Sequence, residues 1–139
     1  MSKARTRARR AAVQAIYQWQ LTGQDAGDIE ANFIHDHDMA GVDEDYFHAI
    51  IREVPLHLHE LEDHFIPLLD RSVNELDPVE RAILRIGTYE LEFRLDVPYK
   101  VIINEAVELA KSFGAEDGHR YVNSILDRVA ASLRKDEIK

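Results

Sequence analysis

The stretch Asp77-Pro78-Val79-Glu80-Arg81-Ala82-Ile83-Leu84-Arg85-Ile86-Gly87-Thr88-Tyr89-Glu90-Leu91-Glu92-Phe93 decides how the rest of the chain is read. It opens as helices open. Asp77 supplies a capping carboxylate, Pro78 takes the first helical position where a missing N–H costs nothing, and Glu80 stands at the third. Beyond that start, Val79, Ile83, Leu84, Ile86, Tyr89, Leu91 and Phe93 put apolar side chains on nearly every side of the cylinder. A helix that is apolar all round is buried among others. The segment is therefore expected to be the central helix of an all-α protein.

The flanking sequence is helical in the same sense, with no sustained period-two alternation. Val13, Ile16, Tyr17 and Leu21 mark a first helix that ends at Thr22, with Gly23 as its stop. Ile29, Phe33 and Ile34 indicate a short second helix closing near Met39–Gly41. Phe47, Ile50, Ile51, Val54, Leu58, Leu61, Phe65 and Leu68 form one long stripe with Pro55 inside it, which predicts a kinked third helix. After the central helix, Asp96-Val97-Pro98 opens another, with Val101, Ile102, Ala106, Val107, Leu109, Ala110 and Phe113 inward and Gly114 at its end. Val122, Ile125, Leu126, Val129 and Leu133 define the last. The expectation is a bundle of six to seven helices: residues 1–10 as a flexible basic arm, 11–134 as a single helical domain and 135–139 as a tail.

Composition narrows the function. The chain has 139 residues, a length suited to one domain, with 45% hydrophobic and 31% charged residues. It lacks cysteine, which excludes disulfide scaffolds, thiolate metal sites and cysteine nucleophiles. No apolar run approaches the roughly 18 residues of a membrane span. The first ten residues lack the apolar region of a secretory signal, so the expected location is the cytoplasm, without membrane contact.

Charge is informative by position. The formal net charge is −9, yet Lys3, Arg5, Arg7, Arg9 and Arg10 crowd the start with no acid among them. The remaining 12 basic residues face all 26 acids, leaving −14 on the rest of the chain. A basic segment on an acidic body suggests a nucleic-acid contact, because an acidic body alone repels phosphates. Tyr17 and Trp19 follow on the same helix, and aromatic rings beside cations are how unpaired bases are commonly held. Both rings also suit core packing. A second candidate is the junction Lys111-Ser112-Phe113-Gly114-Ala115-Glu116-Asp117-Gly118-His119-Arg120-Tyr121, where a helix start offers unpaired N–H groups beside two cations and a ring. Glu116 and Asp117 there suit capping of the last helix or acceptance of hydrogen bonds from base edges.

Other chemistry finds little support. Among the seven histidines, His57, His59 and His64 stand near Glu60 and Asp63, but the helical pairs His59–Asp63 and Glu60–His64 point in different directions. A solvated polar face and no metal is the expectation. There is no GxSxG, GxGxxG or phosphate loop, so neither catalysis nor a cofactor is expected.

The run from Asp96-Val97-Pro98-Tyr99-Lys100 through Asn104-Glu105-Ala106 and Lys111-Ser112-Phe113-Gly114-Ala115-Glu116-Asp117 to Ile125-Leu126-Asp127 resembles the signature of the bacterial NusB transcription antitermination family. The arginine-rich start, Ala12-Val13-Gln14-Ala15-Ile16-Tyr17-Gln18-Trp19-Gln20 and Val79-Glu80-Arg81-Ala82-Ile83-Leu84-Arg85-Ile86 agree in order, so that the likeness covers roughly residues 4–133. The resemblance implies two packed helical subdomains and a non-enzymatic role. That role is binding of boxA RNA in ribosomal RNA leaders together with NusE, a small-subunit ribosomal protein, alongside other Nus factors on RNA polymerase, to suppress termination. RNA contact then falls to Arg5, Arg7, Arg9, Arg10, Tyr17, Lys111, Ser112, Asp117, Arg120 and Tyr121, and Glu80 matches an acidic position of the NusE-binding region. Pro55 and the histidines after it depart from the family pattern. Two alternatives stand: a helical protein-interaction module or homodimer without RNA contact, and the related domain fused to ribosomal RNA cytosine methyltransferases. For the latter the chain has neither the length nor the cysteine.

Overall fold

The computed structural model describes residues 2–114 and 117–138. Among the described residues every regular element is helical, and the chain forms two compact units that divide between His57 and Leu58.

The first unit holds α1 (Lys3–Thr22), α2 (Ala26–Asp36) and α3 (Glu44–Leu56), which pack on one another. Ala8, Ala12 and Ala15 are fully buried on α1 together with Ile16, and such small side chains let neighbouring helices come close. On α3 the buried set is Tyr46, Phe47, Ile50, Ile51 and Val54. Gly23 closes α1 with φ 68°, and its N–H donates to the Trp19 carbonyl at 2.9 Å. That is the left-handed helix end a glycine takes without a Cβ penalty.

The second unit is built around α5 (Pro78–Phe93), the segment read as central. α4 (Leu58–Phe65), α6 (Tyr99–Phe113) and α7 (Gly118–Leu133) all pack against it, and each residue from 82 to 91 is buried. Asp77 caps α5 as expected, its carboxylate accepting the N–H groups of Val79 at 2.8 Å and Glu80 at 3.4 Å. At Gly87 a Cβ would meet the Leu126 side chain at 2.8 Å, so glycine is what lets α7 lie close on α5.

Three expectations are revised. The long third helix is not one helix with a kink. It ends at Leu56, restarts at Leu58, and gives way to a 3-10 turn at Ile66–Leu68. Pro55 and Pro67 each remove a backbone donor, and two such losses in one stripe divide it. The segment taken as a flexible arm is helical from Lys3 onward, with Ala8 and Arg9 buried, so the basic residues are the first turns of α1. The tail forms a further turn of helix, α8 (Lys135–Ile138), bringing the α-helices to eight among the described residues.

That last turn is held by Arg134, which is 4% exposed. Its guanidinium donates to the carbonyls of Glu90, Leu91, Arg94 and Val97 and to the Glu137 carboxylate, at 2.6–3.2 Å. A single cation thus gathers four carbonyls at and just beyond the end of α5, of which those of Glu90 and Arg94 also accept the N–H groups of Arg94 and Val97, in a place where the helix dipole favours positive charge. Glu137 in turn accepts the Tyr99 N–H at 2.9 Å, and that bond, with Arg134, holds its carboxyl below the usual range.

Candidate nucleic-acid interface

α1 carries five cations and no acid along its 20 residues. The fold sorts these cations into two kinds. Arg9 is 2% exposed; its guanidinium lies 5.1 Å from the centre of the Tyr46 ring and donates to the Tyr46 hydroxyl at 3.3 Å. Arg5 lies over the same ring at 4.6 Å, with its Nε 3.7 Å from the Asp43 carboxylate. Asp43 is itself the cap of α3, accepting the Tyr46 N–H at 3.0 Å. So Arg9, expected on the RNA face, lies inside the α1–α3 contact, where cation–π attraction and the hydrogen bond to Tyr46 offset the cost of desolvating its charge. Arg5 is half-committed to it. Tyr46, the residue that gathers both, stands one position before the apolar stripe that begins at Phe47 and is not singled out by the sequence.

Arg7 and Arg10 are exposed, and Gln14, Tyr17 and Leu21 continue the same edge at helical steps of three and four. Tyr17 is 37% exposed and Leu21 55%, so neither belongs to the core stripe that Val13 and Ile16 define. Trp19 is half-buried.

In the second unit the junction opens α7. Asp117 stands at its N-cap with φ 65°, a left-handed conformation uncommon outside glycine, and its side chain makes no capping bond. Glu116, the other expected cap, lies outside the described residues. Gly118 follows, fully against Glu80: a Cβ at Gly118 would strike the Glu80 carboxylate. Glu80 is 7% exposed. The acid expected to meet a protein partner is thus turned onto the first turn of α7, where the dipole favours negative charge.

Tyr121 is partly buried. Its hydroxyl donates to Asp70 Oδ1 at 3.0 Å and accepts the Asp70 N–H at 3.4 Å, and the Arg71 guanidinium lies 4.9 Å from the ring centre. Burial pushes the phenol up, while Arg71 and then Tyr121 hold the Asp70 carboxyl down. Lys111 pairs with Glu108 at 3.3 Å, and Arg120 lies 3.8 Å from Asp117; all four are more than half exposed, and Ser112 is exposed beside them. Such pairs contribute little to stability and separate readily.

The histidines do not converge. His57 Nε2 lies 3.3 Å from Glu53, His59 Nε2 3.9 Å from Asp63, and His64 Nε2 3.2 Å from Glu92. Among the described residues no three His, Cys, Asp or Glu side chains are grouped to hold a metal ion, and no helix is long and apolar enough to cross a membrane.

With this geometry in place, the relatives are informative. The model of the NusB family matches residues 6–131. The chain belongs to the NusB family. It is 54% identical over 139 residues to the transcription antitermination protein NusB of Nitrosococcus oceani, covering 100% of this chain and 93% of that protein. The Shewanella halifaxensis protein of the same description is 55% identical over 130 residues, covering 94% and 96%. A solved structure described as T. maritima NusB shares the fold with TM-score 0.83 and 33% identity over 99% of both chains. A crystal structure of antitermination factors NusB and NusE with dsRNA gives TM-score 0.83 at 24% identity, over 95% and 99% of the chains, and supports the fold. The NusB fold expected from the sequence is the one observed.

Proposed function

We propose that this protein is a transcription antitermination factor that binds boxA-type single-stranded RNA together with the ribosomal protein NusE, and that it acts by binding, without catalysis, in the cytoplasm. The observation that carries the reading is α1, a helix with five cations and no acid in a chain of net charge −9. Phosphate contacts supply affinity without sequence preference, and groups meeting the bases supply the preference. Arg7 and Arg10 serve the first purpose, with Arg5 at the margin. Tyr17 and Tyr121 serve the second, and Lys111, Ser112, Asp117 and Arg120 border the junction. Membership of the NusB family supports this assignment, since its curated relatives are antitermination proteins. Glu80 contributes by holding the junction in shape for RNA and for NusE, and the pair joins the other Nus factors on RNA polymerase.

The test is titration of a short boxA-like single strand, its scrambled counterpart and a duplex of the same sequence, each with and without NusE. The expected result is preference for the boxA strand, strengthened by NusE. Equal affinity for all three would reduce the protein to a nonspecific binder. No RNA binding alongside NusE binding or self-association would establish the protein-interaction module instead.

A further inference from the structure

Two adjoining cavities run along the exposed edge of α1 in the first unit, of about 370 and 300 Å³. They share Gln14, Phe33 and His37 as walls; Tyr17 and Leu21 line one, Arg7 and Arg10 the other. His37, just beyond the end of α2, stacks flat on Phe33 with ring centres 3.8 Å apart and 10° between planes. Its Nδ1 donates to the Phe33 carbonyl at 3.0 Å, which fixes the ring and leaves Nε2 for another partner. One face of the imidazole is covered by Phe33, yet the residue is exposed, so its other face borders the groove. Gln14 lies between the aromatic and the cationic halves. Its Nε2 donates to the Arg10 carbonyl at 3.3 Å, leaving the amide oxygen as an acceptor. The one acid of the lining, Asp38, is turned onto the Ala40 N–H at 2.9 Å.

We propose that this groove is a subsite for one unpaired nucleotide of single-stranded RNA. The base lies in the half between Tyr17 and the His37 ring, Gln14 accepts a hydrogen bond from its edge, and the adjoining phosphate meets Arg7 and Arg10. The occupant is a single strand because a base within a duplex has its faces covered and its edge paired. The cations make it a nucleic acid in preference to an apolar peptide. The inference rests on the RNA-binding reading above and extends it to His37, Phe33 and Gln14, which the sequence did not single out for RNA.

The experiment measures binding of a short boxA-like single strand, and of the same strand carrying one abasic position moved along its length, to the full chain and to His37→Ala, His37→Phe and Gln14→Ala. Wild type should show a position where base removal weakens binding roughly tenfold, within the range for loss of one stacked base. His37→Ala should lose a similar factor on the intact strand and become insensitive at that position, while His37→Phe, which keeps a ring, should stay close to wild type. Gln14→Ala, an exposed change, should also blunt the response at that position. Normal RNA affinity and an unchanged abasic profile in folded His37→Ala and Gln14→Ala would overturn the subsite and leave RNA binding by the protein intact. Loss of NusE binding with normal RNA affinity would overturn it in favour of a protein dock. Absence of RNA binding by wild type would remove both readings together.

Discussion

The outer edge of α1 and the junction at the start of α7 both look basic and aromatic in sequence, but their cations are held differently. On α1 the buried cation, Arg9, packs on the Tyr46 ring, Arg5 lies over the same ring beside Asp43, and Arg7 and Arg10 lie on the exposed edge. At the junction Lys111 and Arg120 each stand beside an acid, Tyr121 is held by Asp70 and Arg71, and Glu80 sits beneath Gly118. The difference teaches that a count of basic residues overstates what faces a ligand. The fold uses part of the charge to hold itself together, and it does so with different partners in the two regions.

The largest effect expected from this comparison is at Gly118. Gly118→Ala drives a methyl group into the Glu80 carboxylate; because Glu80 is buried and has to be moved aside, the change should cost about 2–3 kcal/mol, within the range of overpacking losses. If the clash is the cause, adding Glu80→Ala recovers much of that loss in urea unfolding. Absence of recovery would detach Glu80 from the junction.

Arg9→Ala comes next. It removes a buried charged group from Tyr46 and should cost about 2 kcal/mol, in the range for hydrogen bonds to charged groups. The folded variant should keep the salt dependence of RNA binding. A lowered salt slope at unchanged stability would return Arg9 to the RNA face. For the same reason, removal of residues 1–10 would unfold part of the first unit, because Ala8 and Arg9 go with them.

The smallest effect concerns the Tyr121 hydroxyl. Tyr121→Phe should cost about 1 kcal/mol, the usual net value of one hydrogen bond. Asp70 has its carboxyl depressed, so its contribution is full above the ordinary value of 3.8 and fades as pH falls through the lower folded value. Tyr121 has its phenol raised, so its contribution is full below 10.0 and fades as pH rises through the higher folded value. The difference between wild type and Tyr121→Phe should therefore be flat from about pH 5 to 9 and shrink on either side. A steady trend across neutral pH would mean that some other group controls the ring.

Several of these features were legible in the sequence, and the reasons are local. The central place of α5 follows from apolar residues on all its faces. Asp77-Pro78 and Gly23 mark helix ends through chemistry that acts within one turn. The long signature around residues 96–127 led to the NusB family. What escaped the reading depends on contacts distant in sequence. Arg9 meets Tyr46 across 37 positions and Tyr121 meets Asp70 across 51. Arg134 reaches Leu91 across 43, which turned a supposed tail boundary into the clasp at the end of α5. Tyr17 fitted the apolar period but lies at the margin of the buried stripe, where periodicity alone does not separate core from edge. Pro55 was visible, but whether a proline kinks or ends a helix depends on what the chain packs against beyond it.

The central claim is that the exposed edge of α1 supplies the electrostatic part of RNA binding. It is tested most directly by the salt dependence of affinity for one single-stranded RNA, compared among wild type, Arg7→Ala with Arg10→Ala, and Lys111→Ala with Arg120→Ala. Two phosphates released should flatten the slope by about 1.4, at roughly 0.7 per phosphate of a single strand. The α1 double variant should show that change, and the junction double variant a clearly smaller one, because Glu108 and Asp117 beside Lys111 and Arg120 repel the phosphates those cations would attract. An unchanged slope in the α1 variant, or a larger change at the junction, would contradict the account.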